Sequence, residues 1–192
     1  KVNDHLRYLL LNMNLDYLDN VFVPRNGIRV TSNVEYSSLL LASDINYTRF
    51  SLSADYYFTP LRLHTLRFGG SFLKTYDSPP FYKQFIFGGP QEFAGADYMQ
   101  INGTKFIIGR GEYRYEYKRD VFFKGIINTL IDPDIFNPIN HATTEPRIGI
   151  GIGVMFTSIL GPIELMLVRG DESYQERKGS QYLLHFSAGM KF

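Results

Sequence analysis

Arg110, Glu112, Arg114 and Glu116 occupy every second position of one stretch and alternate with Ile107, Tyr113, Tyr115 and Tyr117. Successive side chains of an extended chain point to opposite faces, so four charges of alternating sign share one face and the apolar residues share the other. Such a row can do one of two things. It can be a solvated polar face paired with neighbouring strands, or it can be a wall that receives another part of the chain. Hydrolytic chemistry has less support. No G-x-S-x-G elbow exists, since Gly69-Gly70-Ser71-Phe72-Leu73 fails at its last position. His185 and Ser187 share a face near the end of the chain, but a nucleophile also needs a base and an orienting group. His5, His64, His141 and His185 lack a ligand spacing, and the absence of cysteine removes thiolate metal sites and disulfides. The reading is a non-enzymatic chain with no catalytic residue, no metal and no cofactor.

Composition narrows the class. The 192 residues suit one domain, and 44% hydrophobic residues allow a sizeable buried surface. Twenty basic residues against 19 acidic ones give no electrostatic case for nucleic acid. No apolar run approaches the ~18 residues of a membrane-spanning helix. Fourteen tyrosines and 16 phenylalanines favour strands. The chain starts at Lys1 without a signal pattern, which reads as a processed chain or a piece of a longer one.

The elements that must position the charged row are strands. Period-2 alternation predicts ten of them, over residues 6–15, 28–36, 50–58, 62–75, 81–87, 105–118, 121–131, 148–156, 163–169 and 181–192, joined as hairpins with no convincing helix. In the last, Tyr182, Leu184, Phe186, Ala188, Met190 and Phe192 share one face. The same parity predicts an outward apolar band including Ile150, Ile152, Leu165, Leu167, Leu184, Phe186 and Met190. Strands of ~9–11 residues, tilted, cross a bilayer. Counting back from a periplasmic end puts the long connections 88–104, 132–146 and 170–180 on one side and tight turns near Arg119 and Gly161 on the other. Only the short connection at 59–61 spoils that asymmetry. A soluble sandwich must cover its apolar faces and wet its charged ones, whereas a transmembrane barrel accommodates apolar-out and charged-in together. The expected fold class is therefore all-β, an antiparallel transmembrane β-barrel.

The stretches DYLDNVFVPRNG at 16–27, FGGPQEFAGADYMQINGTKFIIGRGEYRYEY at 87–117, LGPIELMLVRG at 160–170 and HFSAGMKF at 185–192 follow one order over nearly the whole chain. Together they resemble the C-terminal barrel of the bacterial surface antigen superfamily, which includes BamA, TamA and the two-partner secretion transporters. The resemblance implies that the segment bearing Gly88, Gly89, Phe93, Gly95 and Gly103 folds back into the lumen against the wall of Arg110, Glu112, Arg114 and Glu116. It also implies that Phe186, Gly189, Met190 and Phe192 belong to a C-terminal assembly signal. Family barrels have sixteen strands, so ten imply the C-terminal part of a longer chain or a reduced barrel. Where the family carries an arginine at the loop tip, this chain has Ala94. That departure and the Gly-Gly entry look more like barrels fused behind patatin-like phospholipases.

The expected function is an outer-membrane anchor and conduit for an N-terminal passenger such as a patatin-like phospholipase. An assembly or translocation factor of the BamA/TamA type is the alternative, and a self-contained barrel enzyme or porin a weaker one. The implied setting is the outer membrane of a Gram-negative bacterium. The implied partners are outer-membrane lipid, the barrel assembly machinery, an upstream passenger or POTRA-like domain, and another copy in an oligomer.

Overall fold

The computed structural model describes residues 5–77, 79–131, 146–158, 161–170 and 182–189. Its body is one antiparallel sheet of nine strands. These are β1 (Tyr8–Asp16), β2 (Gly27–Ser37), β3 (Tyr47–Leu61), β4 (His64–Tyr76), β7 (Lys105–Lys118), β8 (Val121–Ile131), β9 (Arg147–Ser158), β10 (Gly161–Arg169) and β11 (Tyr182–Ala188). Two further short strands, β5 (Phe85–Phe87) and β6 (Ile101–Gly103), pair only with each other. The wall runs β1-β2-β3-β4-β7-β8-β9-β10-β11, and among the described residues β1 and β11 are its edges.

The fifth strand expected over residues 81–87 is thus not part of the wall. Pro79-Pro80 leads into a 3-10 turn at Phe81–Lys83, and only Phe85–Phe87 is extended, within the connection between β4 and β7. Proline offers no N–H to a ladder, which explains why the wall stops before this stretch. Removing one strand reverses the sidedness of everything before it. The two-residue turn at Arg62-Leu63 now falls at the same end as the turn 119–120 and the junction of β9 with β10, and the exception noted from the sequence disappears. The connection 17–26 moves to that turn end as well, while 38–46 joins 77–104 at the loop end.

Burial follows the alternation. On β10, Glu164, Met166 and Val168 are buried while Leu165 and Leu167 are exposed. Ile150, Ile152, Leu184 and Phe186 are exposed with them, in keeping with the expected outward band; Met190 lies outside the described residues. The sheet is also staggered. Arg169, the last residue of β10 at the loop end, faces Ile150, and the same row continues through Ile127, Gly111, Phe68 and Tyr56 to Ile28, beside the turn-end connection of β2. One row therefore descends from rim to rim, the shear that strands acquire when they tilt around a barrel axis.

Candidate functional site

The inner face carries the charged row and more. Arg67 binds Asp55 Oδ1 through Nε at 3.0 Å and Nη2 at 2.9 Å. Arg110 Nη2 lies 3.5 Å from the same carboxylate oxygen and donates to Ser53 Oγ at 2.8 Å. Arg67 Nη1 reaches Glu112 Oε2 at 3.7 Å, and Lys124 Nζ bridges Glu112 Oε2 at 3.2 Å to Glu164 Oε1 at 2.8 Å. The ladder explains the chain of contacts. Tyr57, Arg67, Glu112 and Ile126 follow one row, and Lys124 comes from the same strand as Ile126, two residues before it. Charges withdrawn from bulk water need partners with good geometry, and here every carboxylate of the network faces a cation.

Arg114 and Glu116, at the turn-end half of the row, meet the connection 17–26 instead. Arg114 Nη2 donates to the carbonyl of Pro24, and Arg25 forms an ion pair with Glu116. Thr59 fastens the same connection, its hydroxyl donating to Arg25 O at 2.7 Å and its N–H to Asn26 Oδ1 at 3.0 Å. Asp19 organises the interior of this connection by accepting the Arg25 N–H at 2.8 Å. Burial, the largest single influence on Asp19, pushes its carboxyl up, but the N–H groups of Arg25, Asn26 and Asn20 together outweigh it and hold the carboxyl below the usual carboxylate range. Gly27 ends the connection at φ 118, a conformation that favours glycine, with Tyr17 O packed where a Cβ would go. The periodicity marked this stretch only as turn chemistry; the long-range partners of Pro24 and Arg25 carry no local signal.

The connection between β4 and β7 folds onto the inner face from the loop end. Phe85, Phe87, Phe93, Ala96 and Ile101 form an apolar cluster with wall residues Phe106, Ile108 and Leu130. Ala94 packs with Ile126, Met166 and Val168. Glycine makes the approach close: a Cβ on Gly149 would lie 2.7 Å from the nitrogen of Gly95. Glu35 Oε1 accepts from Lys83 Nζ at 2.5 Å and also from the Tyr47 hydroxyl, which ties the start of the connection to β2 and β3. Gly88 donates its N–H to Glu92 Oε2 at 3.1 Å. Burial pushes the Glu92 carboxyl up, and the Gly88 N–H and the nearby Arg110 offset only part of that.

The structure therefore brings Gly88, Gly89, Phe93 and Gly95 to the inner face but divides the charged row. Pro90 and Gln91 border, with Arg110, Glu112 and Lys124, a small inner cavity of about 170 Å³ that Val21, Phe22 and Pro24 border at its other side. Gly95 sits against β9 and Gly170 rather than against Glu112. Phe186 is outward and Gly189 has φ 114; Met190 and Phe192 lie outside the described residues. His185 is buried edge-on against Tyr98, with ring centroids 5.2 Å apart. Among the described residues no group of three or more His, Cys, Asp or Glu side chains could hold a metal ion.

A staggered meander that is apolar outside, charged inside and filled from both ends by its own connections is the wall of an antiparallel transmembrane β-barrel. The chain belongs to the Omp85 superfamily, whose domain model matches residues 2–192. The crystal structure of BamA from Haemophilus ducreyi lacking POTRA domains 1–3 is similar in fold, with a TM-score of 0.75 at 14% identity over 95% of this chain. The match spans 42% of that BamA chain, so the present chain covers less than half the length of that relative. No curated protein matches the chain.

Proposed function

We propose that this chain is the barrel portion of an outer-membrane protein of the BamA/TamA type, residing in a Gram-negative outer membrane and acting in the assembly or translocation of other proteins. Membership of the Omp85 superfamily supports the class. The observation that carries the reading is the seating of Ala94 and Gly95 on Gly149, which fills the inner face with a segment of the chain itself. A wall filled in this way is poorly suited to be an open pore and well suited to a device whose loop and edges move when a client arrives. In this reading Arg110, Glu112 and Lys124 set the wall's electrostatics, the terminal strand serves the barrel's own assembly, and any catalytic activity belongs to another part of the protein. POTRA-like modules and the barrel assembly machinery are the partners that follow.

A second reading, anchorage of an N-terminal passenger such as a patatin-like phospholipase, is favoured by one feature. Ala94 replaces the family's tip arginine, and it docks by apolar contact instead of an ion pair. One experiment separates the two. The full-length protein carrying Ala94→Cys and Ile126→Cys, joined by a short thiol crosslinker, is placed in lipid vesicles and offered an unfolded barrel client. The assembly reading expects client folding several-fold faster than in protein-free vesicles, loss of that gain on crosslinking, and recovery on cleavage of the linker. No acceleration by the uncrosslinked protein overturns assembly and leaves anchorage.

A further inference from the structure

The outward face carries a depression floored by glycine. Gly125 on β8 lies between Tyr113 on β7 and Ile152 on β9, and nothing approaches within 4 Å of a Cβ built on it. Gly111, one step diagonal on β7, lies between Phe68 and Ile127. Two glycines on adjacent strands thus remove the side chains from the floor of an apolar groove of about 640 Å³, walled by Phe68, Tyr113, Ile127, Ile152 and Leu167. The groove ends at Arg169 and Tyr182 on the loop-end rim, where the guanidinium lies 5.7 Å from the ring centroid. Arg67 and Glu112, which also border the groove, are engaged with Asp55 and Lys124 on the inner face; Arg169 is exposed outside.

We infer that this groove is a binding site for a single phosphate-bearing lipid of the outer membrane, with one acyl chain lying over Gly125 and Gly111 and a phosphate on Arg169. The inference rests on reading this face as lipid-facing. Charge placement selects the occupant. An apolar protein surface needs no cation at one end of its groove, whereas a lipid carries its anionic group at one end of an apolar chain. An arginine at a membrane rim reaches the headgroup layer while its stem remains against apolar surface, and tyrosine beside it suits the same interface. About two strand spacings, on the order of 10 Å, separate Arg169 from the floor at Gly125, within reach of a chain that starts at the headgroup. Ordinary lipid contact would wet the whole outward face equally; a floor without side chains under a single cation favours one position.

The test uses the full-length protein in vesicles containing phosphatidylglycerol with a photoreactive acyl chain. Labelled peptides should concentrate on β7 to β9. Gly125→Leu, which meets no atom within 4 Å at its Cβ, should reduce that labelling at least fivefold while labelling elsewhere is unchanged. Arg169→Gln should reduce retention of phosphatidylglycerol in native mass spectra severalfold and leave diacylglycerol, which has no phosphate, unaffected. Uniform labelling around the outward face, an unchanged pattern in Gly125→Leu, or a lipid-free dimer covering the groove would each overturn the proposal. A protein that fails to insert, seen as absent heat-modifiable mobility and no labelling anywhere, overturns the barrel reading and this inference with it.

Discussion

A Cβ placed on Gly149 would lie 2.7 Å from the backbone nitrogen of Gly95 and 3.3 Å from that of Ala94. The obstacle is main chain on both counts, so no rotamer change relieves it. Gly149→Ala should therefore lift the tip of the connection without disturbing the β8–β9–β10 ladder. The expected outcome is folded, heat-modifiable protein in which residues 88–104 become severalfold more sensitive to protease. Gly125→Ala, on the outward side, is the neutral control. Equal protection in both variants would mean that Gly149 does not seat the tip.

Lys124 is the hinge of the inner charge network. Lys124→Ala leaves Glu112 facing Glu164 without the cation that bridges them, and breaking a buried pair from one side costs about 3–5 kcal/mol. Glu164→Gln removes one negative charge, keeps Lys124 paired with Glu112, and should cost far less. Urea unfolding in lipid vesicles measures both. A Lys124→Ala variant as stable as Glu164→Gln would show that the network is solvated rather than held by pairing.

The two faces of the wall predict opposite responses to charge. Leu165 is outward and exposed, and Arg or Lys at the midplane of a lipid-facing band costs about 2–4 kcal/mol. Ser187 sits on the inner face directly opposite Glu164 on β10, so an arginine there gains a carboxylate. Leu165→Arg should lower the yield of folded protein in bilayers, and Ser187→Arg should not. Met166→Arg is a poorer control than the alternation alone implies, because Met166 packs against Ala94 and an arginine there would also displace the tip.

Acid should act on the two filling connections in opposite senses. Asp19 has a folded value below its unfolded 3.8, so its contribution to the connection 17–26 is complete above about pH 3.8 and is lost as pH falls through the folded value. Glu92 is raised above 4.5. Its docked form is favoured below pH 4.5, and that advantage is lost as pH rises through the folded value. Hydrogen exchange followed across this range should show 17–26 loosening and 88–104 tightening on acidification. Parallel changes in both segments would contradict these assignments.

The wall was legible because alternation is a strong signal when one face must be apolar and the other polar, as Leu165 against Met166 illustrates. Phe81, Phe85 and Phe87 misled for a physical reason. They alternate as a wall strand does, but Phe85 and Phe87 bury against Phe106 and Ile108 inside the connection. Pro79-Pro80 and Gly88-Gly89 on either side were the available warning. Sequence placed a charged wall at Arg110–Glu112–Arg114–Glu116, but not Lys124, Glu164 or Asp55, because cross-strand neighbours depend on register rather than on local pattern. Likewise, nothing local to Pro24 announces its link to Arg114.

That link joins residues 90 positions apart, whereas the neighbouring wall strands pair mainly through consecutive hairpins. Short hairpins close at modest entropic cost, and the cost of closure grows with the length of chain between partners. The clasp between Pro24 and Arg114 can therefore form only after β2, β3, β4 and β7 have come into register. It becomes a late event in folding, and its loss should accelerate unfolding far more than it slows refolding, as expected of an interaction absent from the transition state.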